Sequence, residues 1–189
     1  MSYFEKFKEI VLEEVKNTFF NKKNKTEETG SFLELLKLPS SQSISIKIGN
    51  VLEKSYNKLI FNINGVENIK DGMISNHQID LLFLYNNCIY YFEIKNNINL
   101  DTEKTRETFN KIKDVEGALL KKYDNVVSKI LVNRFPTKEK MKFFKNPISK
   151  NDLIGYSDFF DLFNVSVSEA EWKEFFNYVG EVILKDKEI

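Results

Sequence analysis

The stretch "HQIDLLFLYNNCIYYFEIKNN", residues 77 to 97, carries an aspartate, a glutamate and a lysine inside otherwise apolar runs: Asp80, Glu93 and Lys95. Charges set into a forming core are costly unless they are paired or used. Two carboxylates and a lysine suit one chemistry in particular. The carboxylates hold a hard divalent cation, and the ammonium sits beside it to place a nucleophile or balance negative charge. Without a metal, the expected arrangement is a salt bridge of Lys95 with one acid and a raised pKa on the other.

The spacing brings the three together. Residues 79–85 and 89–95 read as antiparallel strands joined at Asn86-Asn87, because asparagine tolerates the positive φ of a two-residue hairpin turn. That register sets Leu84 against Ile89, Leu82 against Tyr91 and Asp80 against Glu93. Directly opposed residues have Cβ atoms about 4.5–5.5 Å apart. Lys95 shares the face of Glu93, being two residues on, and Gln78 is expected opposite Lys95. Facing carboxylates repel, and Mg2+ relieves this with oxygen ligands at roughly 2.0–2.1 Å. The backbone carbonyl of Ile94, between the two site residues, is a further candidate ligand.

Other chemistries find no support. The seven glycines are too scattered for a dinucleotide or Walker-type phosphate loop. One histidine and one cysteine make no zinc finger, and no nucleophile motif surrounds His77. His77 reads as a surface residue and Cys88 as a small core residue; a lone cysteine fits a reducing, cytoplasmic setting. No apolar run is long enough to span a membrane, and the acidic, amphipathic start "MSYFEKFKEIVLEEV" is unlike a signal or transit peptide.

The elements that must position the cluster follow from periodicity. Residues 3–20 read as a helix with Phe4, Phe7, Val11, Val15 and Phe19 on its inner face. "NKKNKTEETG" is a polar loop, and "SFLELLKL" a short helix stopped by Pro39. A longer helix over 40–63 turns Ile44, Ile48, Val51, Leu52, Ser55 and Leu59 inward, with Glu53 near its middle, and "NGVENIKDG" is turn-rich. After the two strands comes a helix with acids in its first turn and a stripe of Phe109, Ile112, Leu119, Leu120 and Tyr123. "NVVSKILVNRF" is a strand, and "SKNDLIGYSDFFDLFN" reads as helical. The last helix starts at a Ser168-x-x-Glu171 capping box. Its aromatics, including Trp172, Phe175 and Phe176, read as core or dimer interface. The expected fold is α/β: a central mixed sheet of at least three strands flanked by helices, as one domain over 1–189 with its core at about 43–135 and C-terminal helices over 150–186.

Net charge is zero, but residues 95–150 hold 14 Lys/Arg against 7 Asp/Glu. A basic segment beside a carboxylate cluster suits either a polyanionic partner or a solvated helical surface, and Lys138, Lys140 and Lys142 are open to both readings.

Asp80 followed by Glu93-Ile94-Lys95 resembles the PD-(D/E)xK nuclease superfamily, in which an acid at a strand start is followed by acid-x-Lys on the next strand. The resemblance covers roughly residues 43–135, and the proline of the name is replaced by Ile79. It implies a restriction-endonuclease-like core, with Glu53 in "GNVLEKSYNKLI" matching an acid that the family often places on the preceding helix. Glu53 reads equally as a solvated helix glutamate. Within the superfamily, "YYFEIKNNINLDTEKTRETFNKI" is most similar to type II restriction endonucleases. The implied activity is Mg2+-dependent, sequence-specific hydrolysis of duplex DNA by a homodimer. Asp80 and Glu93 would be metal ligands, Lys95 would orient or activate the nucleophile, and Glu53 would hold water, Lys95 or a second metal. Gln78, Asn96, Asn97, Asn99, Lys104 and Arg106 are the candidate DNA contacts. Two alternatives stand beside this: a structure-directed or repair nuclease of the same superfamily, and a non-catalytic DNA- or protein-binding module.

Overall fold

A computed structural model describes residues 1–20, 41–69, 72–98, 101–142 and 144–185. The expected loop and short helix before Pro39, and Asn99, lie outside the described residues.

Helix α1 (Tyr3–Val15) starts at Ser2, whose Oγ accepts from the Glu5 N–H at 3.2 Å, and it continues into a π-helical turn (Lys16–Phe20). Phe4, Phe7, Val11 and Val15 are buried as the periodicity demands. Helix α2 (Ser41–Ile60) buries Val51, Leu52, Ser55 and Leu59, and the Ser55 hydroxyl is satisfied by the Val51 carbonyl at 2.7 Å. Lys58 clamps the two helices through Glu13 and the buried Glu14, at 3.1 and 2.7 Å.

That clamp has a pH signature. Hydrogen bonding to Glu14, and then to Glu13, holds Lys58 above the ordinary lysine value of 10.5. A group whose pKa is raised by folding stabilises below its unfolded pKa, and that contribution is lost as pH rises through the folded one. Stability should therefore fall above 10.5 by an amount that Lys58→Met lacks. Urea denaturation of both proteins from about pH 9 to about pH 11.5 measures it, and parallel losses in the two would refute it.

The five-stranded sheet runs β1 (Val66–Asn68), β4 (Leu81–Tyr85), β5 (Cys88–Lys95), β6 (Val126–Val132), β7 (Leu153–Gly155). The first two pairings are antiparallel and the last two parallel, so the sheet is mixed. A separate small hairpin, β2 (Met73–Ile74) and β3 (His77–Gln78), precedes β4. Asn86 and Asn87 both take positive φ, 50° and 58°, and the turn sets Leu84 against Ile89 and Leu82 against Tyr91 as expected.

Alternation along the strands sorts the core into two layers. Leu81, Phe83, Phe92, Ile94 and Leu131 pack on α1, α2, α4 (Tyr156–Asp161) and α5 (Glu169–Lys185). Leu82, Ile89, Tyr91, Ile130 and Val132 pack on α3 (Thr102–Leu119). Helix α3 is capped by Asp101, whose Oδ1 accepts from the Lys104 N–H at 2.8 Å. It ends before two residues of the expected stripe: Leu120 and Tyr123 are exposed, and Thr105, Thr108 and Val115 join Ile112 and Leu119 inside.

Two expectations need correction. The turn-rich segment after α2 holds strand β1, and the segment expected to be helical from residue 149 holds β7 before α4 begins. These strands are three residues long, too short to show a period; neighbouring strands define them. Gly155 allows the β7 end to sit against the 135–136 backbone, where a Cβ would lie 2.2 Å from the Pro136 carbonyl oxygen. At α5 the capping box forms: the Ser168 N–H donates to Glu171 Oε2 at 3.0 Å, and Ser168 Oγ accepts from the Glu171 N–H at 3.2 Å. Trp172, Phe175 and Phe176 pack in or against the α1–α2 core layer. No described helix is long and apolar enough to cross a membrane.

Candidate functional site

Glu93 and Lys95 end strand β5 on the face covered by α3, because they share parity with Ile89 and Tyr91. Glu93 is 3% exposed. Its Oε1 takes a hydrogen bond from Lys95 Nζ at 2.5 Å, and its Oε2 takes one from the Tyr91 hydroxyl at 3.1 Å.

Asp80 reaches the same place by a route different from the expected one. The β4–β5 ladder stops at Leu81 paired with Phe92, so Asp80 is not a cross-strand partner of Glu93. Its side chain takes over where the ladder ends: Oδ2 accepts the Ile94 N–H at 2.9 Å. The Ile94 N–H thus fixes the Asp80 carboxylate at the end of β5. Asn57 of α2 donates to the Asp80 carbonyl at 2.6 Å and to the Glu53 carbonyl at 3.0 Å, which sets the Glu53 turn against this corner.

The residue that sequence reasoning missed is Lys111. From α3, its ammonium contacts Glu93 Oε2 and lies 3.2 Å from Asp80 Oδ1. Both acids therefore converge on one cation position, held by a side chain. The overlooked signal is spacing: Lys111 follows Thr108 by three residues and precedes Val115 by four, which puts it on the buried stripe of α3.

Electrostatics separates the carboxyls. Burial pushes Glu93 up, but the Lys95 and Lys111 ammoniums outweigh it and hold the group below its ordinary value. Burial, and then the charge of Glu93, raises Asp80 against the pull of the lysines. Glu53 is also raised, by burial first and by Asp80 second, so its carboxyl lies within the field of the cluster. The expected metal-free pattern is present: Lys95 bridges one acid and the other is raised. Lys111 stays protonated above the ordinary lysine value, because Glu93 and Asp80 overcome the cost of its burial.

Above the cluster opens a cleft of about 780 Å3, lined by His77, Glu93, Lys95, Lys104, Glu107 and Lys111, among others. Arg106 lines an adjoining groove with Thr102 and Glu103. His77 stands at the rim, 3.1 Å from Asp114 Oδ2. The other expected DNA contacts fare differently. Gln78 pairs with Met73 in the small hairpin, not opposite Lys95, because the chain turns away from β5 before β4 begins. Asn96 accepts from Asn133 Nδ2 at 3.4 Å, and Asn97 is half-buried. Cys88 is half-buried, with its thiol turned to the Ile89 carbonyl. Among the described residues, no three His, Cys, Asp or Glu side chains are gathered as a ready metal cage; the acids on offer are the pair, with Glu53 nearby.

No family model matches the chain, and neither the curated proteins nor the solved structures contain a significant match to it.

Proposed function

We propose that the chain is a Mg2+-dependent nuclease acting on duplex DNA, built on a restriction-endonuclease-like core. One observation carries this reading: Asp80 Oδ1, just before β4, and Glu93 Oε2, on β5, converge on a single cation position beside an open cleft, with Lys95 two residues from Glu93. The Lys111 ammonium acts as a stand-in cation there. The donors are hard oxygens, and Mg2+ commonly takes one or two carboxylates, with water and substrate phosphate completing its shell. The residues present therefore fit the metal.

Bound Mg2+ would lower the pKa of a coordinated water and neutralise charge on the scissile phosphate. Asp80 and Glu93 would hold it. Lys95, anchored by Glu93 at 2.5 Å, directs its ammonium at the cleft, where it offsets charge developing on the phosphate. Glu53, whose carboxyl lies in the field of Asp80 and Glu93, would hold water, Lys95 or a second metal. Lys104 on the cleft wall and Arg106 in the next groove supply phosphate contacts, which position DNA without reading it. Sequence-specific cutting by a homodimer is the form the reading takes from its resemblance to type II restriction enzymes.

A second reading rests on a specific observation too. Two lysines already neutralise the two acids, so the cluster is also complete as an ion-paired network of a non-catalytic DNA-binding module. The test is incubation with long, unmethylated duplex DNA of varied sequence, with Mg2+ or with EDTA, beside Lys95→Ala. Discrete fragments that need both Mg2+ and Lys95 are expected. A smear would replace the sequence-specific form by a structure-directed nuclease. Binding without cleavage would favour the module.

A further inference from the structure

We infer that Lys111 is the internal counter-ion of the site and competes with the divalent metal for the same two carboxylate oxygens. The inference rests on the metal-dependent reading above. Every carboxylate oxygen of the pair is accounted for. Asp80 Oδ2 is held by the Ile94 N–H at 2.9 Å, and Glu93 Oε1 by Lys95 at 2.5 Å. The remaining two, Asp80 Oδ1 and Glu93 Oε2, are the ones that Lys111 occupies. A divalent cation held by both acids would compete for those two atoms, since an ammonium and a divalent cation in contact with the same oxygens repel each other. Lys111 would have to give up these contacts for Asp80 and Glu93 to hold a metal together.

The geometry gives it somewhere to go. Lys111 lines the cleft together with Glu93 and Lys95, and its ammonium also reaches Asp80 at 3.2 Å. A lysine stem is flexible, with an ammonium free to change partners. Displaced from the acids, the Lys111 ammonium would turn into the cleft, where the phosphate backbone of a substrate would lie. Lys111 is accordingly a positioning residue: together with Lys95 it balances the two carboxylates, and it would face the polyanion once a metal took its place.

The test uses Mn2+ alone, without DNA, titrated calorimetrically into the wild-type chain, Lys111→Gln and Lys111→Arg. Removing the competing charge should tighten Mn2+ binding by at least about tenfold in Lys111→Gln, with Lys111→Arg near wild type. A second measurement needs no variant. Saturating Mn2+ should speed acylation of Lys111 by an amine-reactive ester, read by mass spectrometry, because the ammonium is freed from its carboxylates. Wild-type binding with no gain in Lys111→Gln and no faster labelling would overturn the competition and leave the metal site standing. Absence of Mn2+ binding in all three proteins would overturn the metal-dependent reading itself.

Discussion

On the proposed metal-dependent nuclease reading, Glu93→Gln should leave a folded protein that cleaves DNA about a thousandfold more slowly, a loss of roughly 4 kcal/mol in transition-state stabilisation. Gln has nearly the same shape, so packing around Tyr91 and Ile94 is kept. What changes is charge and hydrogen-bond direction. Glu93 accepts from Lys95, Lys111 and the Tyr91 hydroxyl, all as an acceptor-only carboxylate. An amide accepts at one atom only and presents N–H groups to at least one ammonium. On the proposed reading the site would lose one of its two ligand charges, and Lys95 loses the carboxylate that holds it. Breaking a buried ion pair often costs 3–5 kcal/mol in stability. Here the lysines can turn into the cleft, their side chains being 27% and 17% exposed, so the cost should be nearer about 1–3 kcal/mol. DNA affinity should rise slightly, since the cleft becomes more positive. Single-turnover cleavage and a gel-shift titration separate the two effects. A variant that cuts at the wild-type rate would remove Glu93 from the chemistry.

How much of this was legible in the sequence depends on the range of the interaction. The hairpin was legible because its information is local: two asparagines able to take positive φ, flanked by alternating apolar residues, fix the register from Leu81–Phe92 to the turn. The nearness of Asp80, Glu93 and Lys95 follows from that register, even though the ladder stops one pair short and the Asp80 side chain completes it. The spacing of Lys111 puts it on the inner stripe of α3, but that it meets Asp80 and Glu93 was not legible, because this depends on the parallel β5–β6 crossover laying α3 back over the strand ends. A lysine in a lysine-rich helix reads as solvated until that crossover is known. The same holds for β1, β2, β3 and β7, which exist through their neighbours and carry no period of their own. The register of Gln78 opposite Lys95 failed for a related reason: extending the hairpin beyond Asp80 assumed that the strand ran on, and the chain instead forms a separate hairpin.

The largest stability loss is expected from Trp172→Ala. Its ring stacks on Tyr156 at 4.0 Å between centroids and on Phe7 at 5.8 Å, and it is 5% exposed. Truncating a buried aromatic of this kind costs about 3–5 kcal/mol. The indole also does something more specific: its N–H donates to the Asn133 carbonyl at 3.1 Å. Asn133 is buried, receives the Tyr56 hydroxyl on its side-chain oxygen at 2.8 Å, and donates its backbone N–H to the Lys95 carbonyl at 2.9 Å. One residue thus ties α2 and α5 to the end of β5, where the charged cluster begins. Trp172→Phe keeps a ring but loses that hydrogen bond and part of the buried indole, so it should cost about 1–2 kcal/mol. Asn133→Ala orphans the fully buried Tyr56 hydroxyl and should cost about 2–3 kcal/mol, while the double variant Asn133→Ala/Tyr56→Phe should recover part of the loss. Urea denaturation of the four proteins ranks them. If Asn133→Ala proved as mild as Trp172→Phe, the network would be packing alone, and the position of Lys95 would have to be set by the sheet without it.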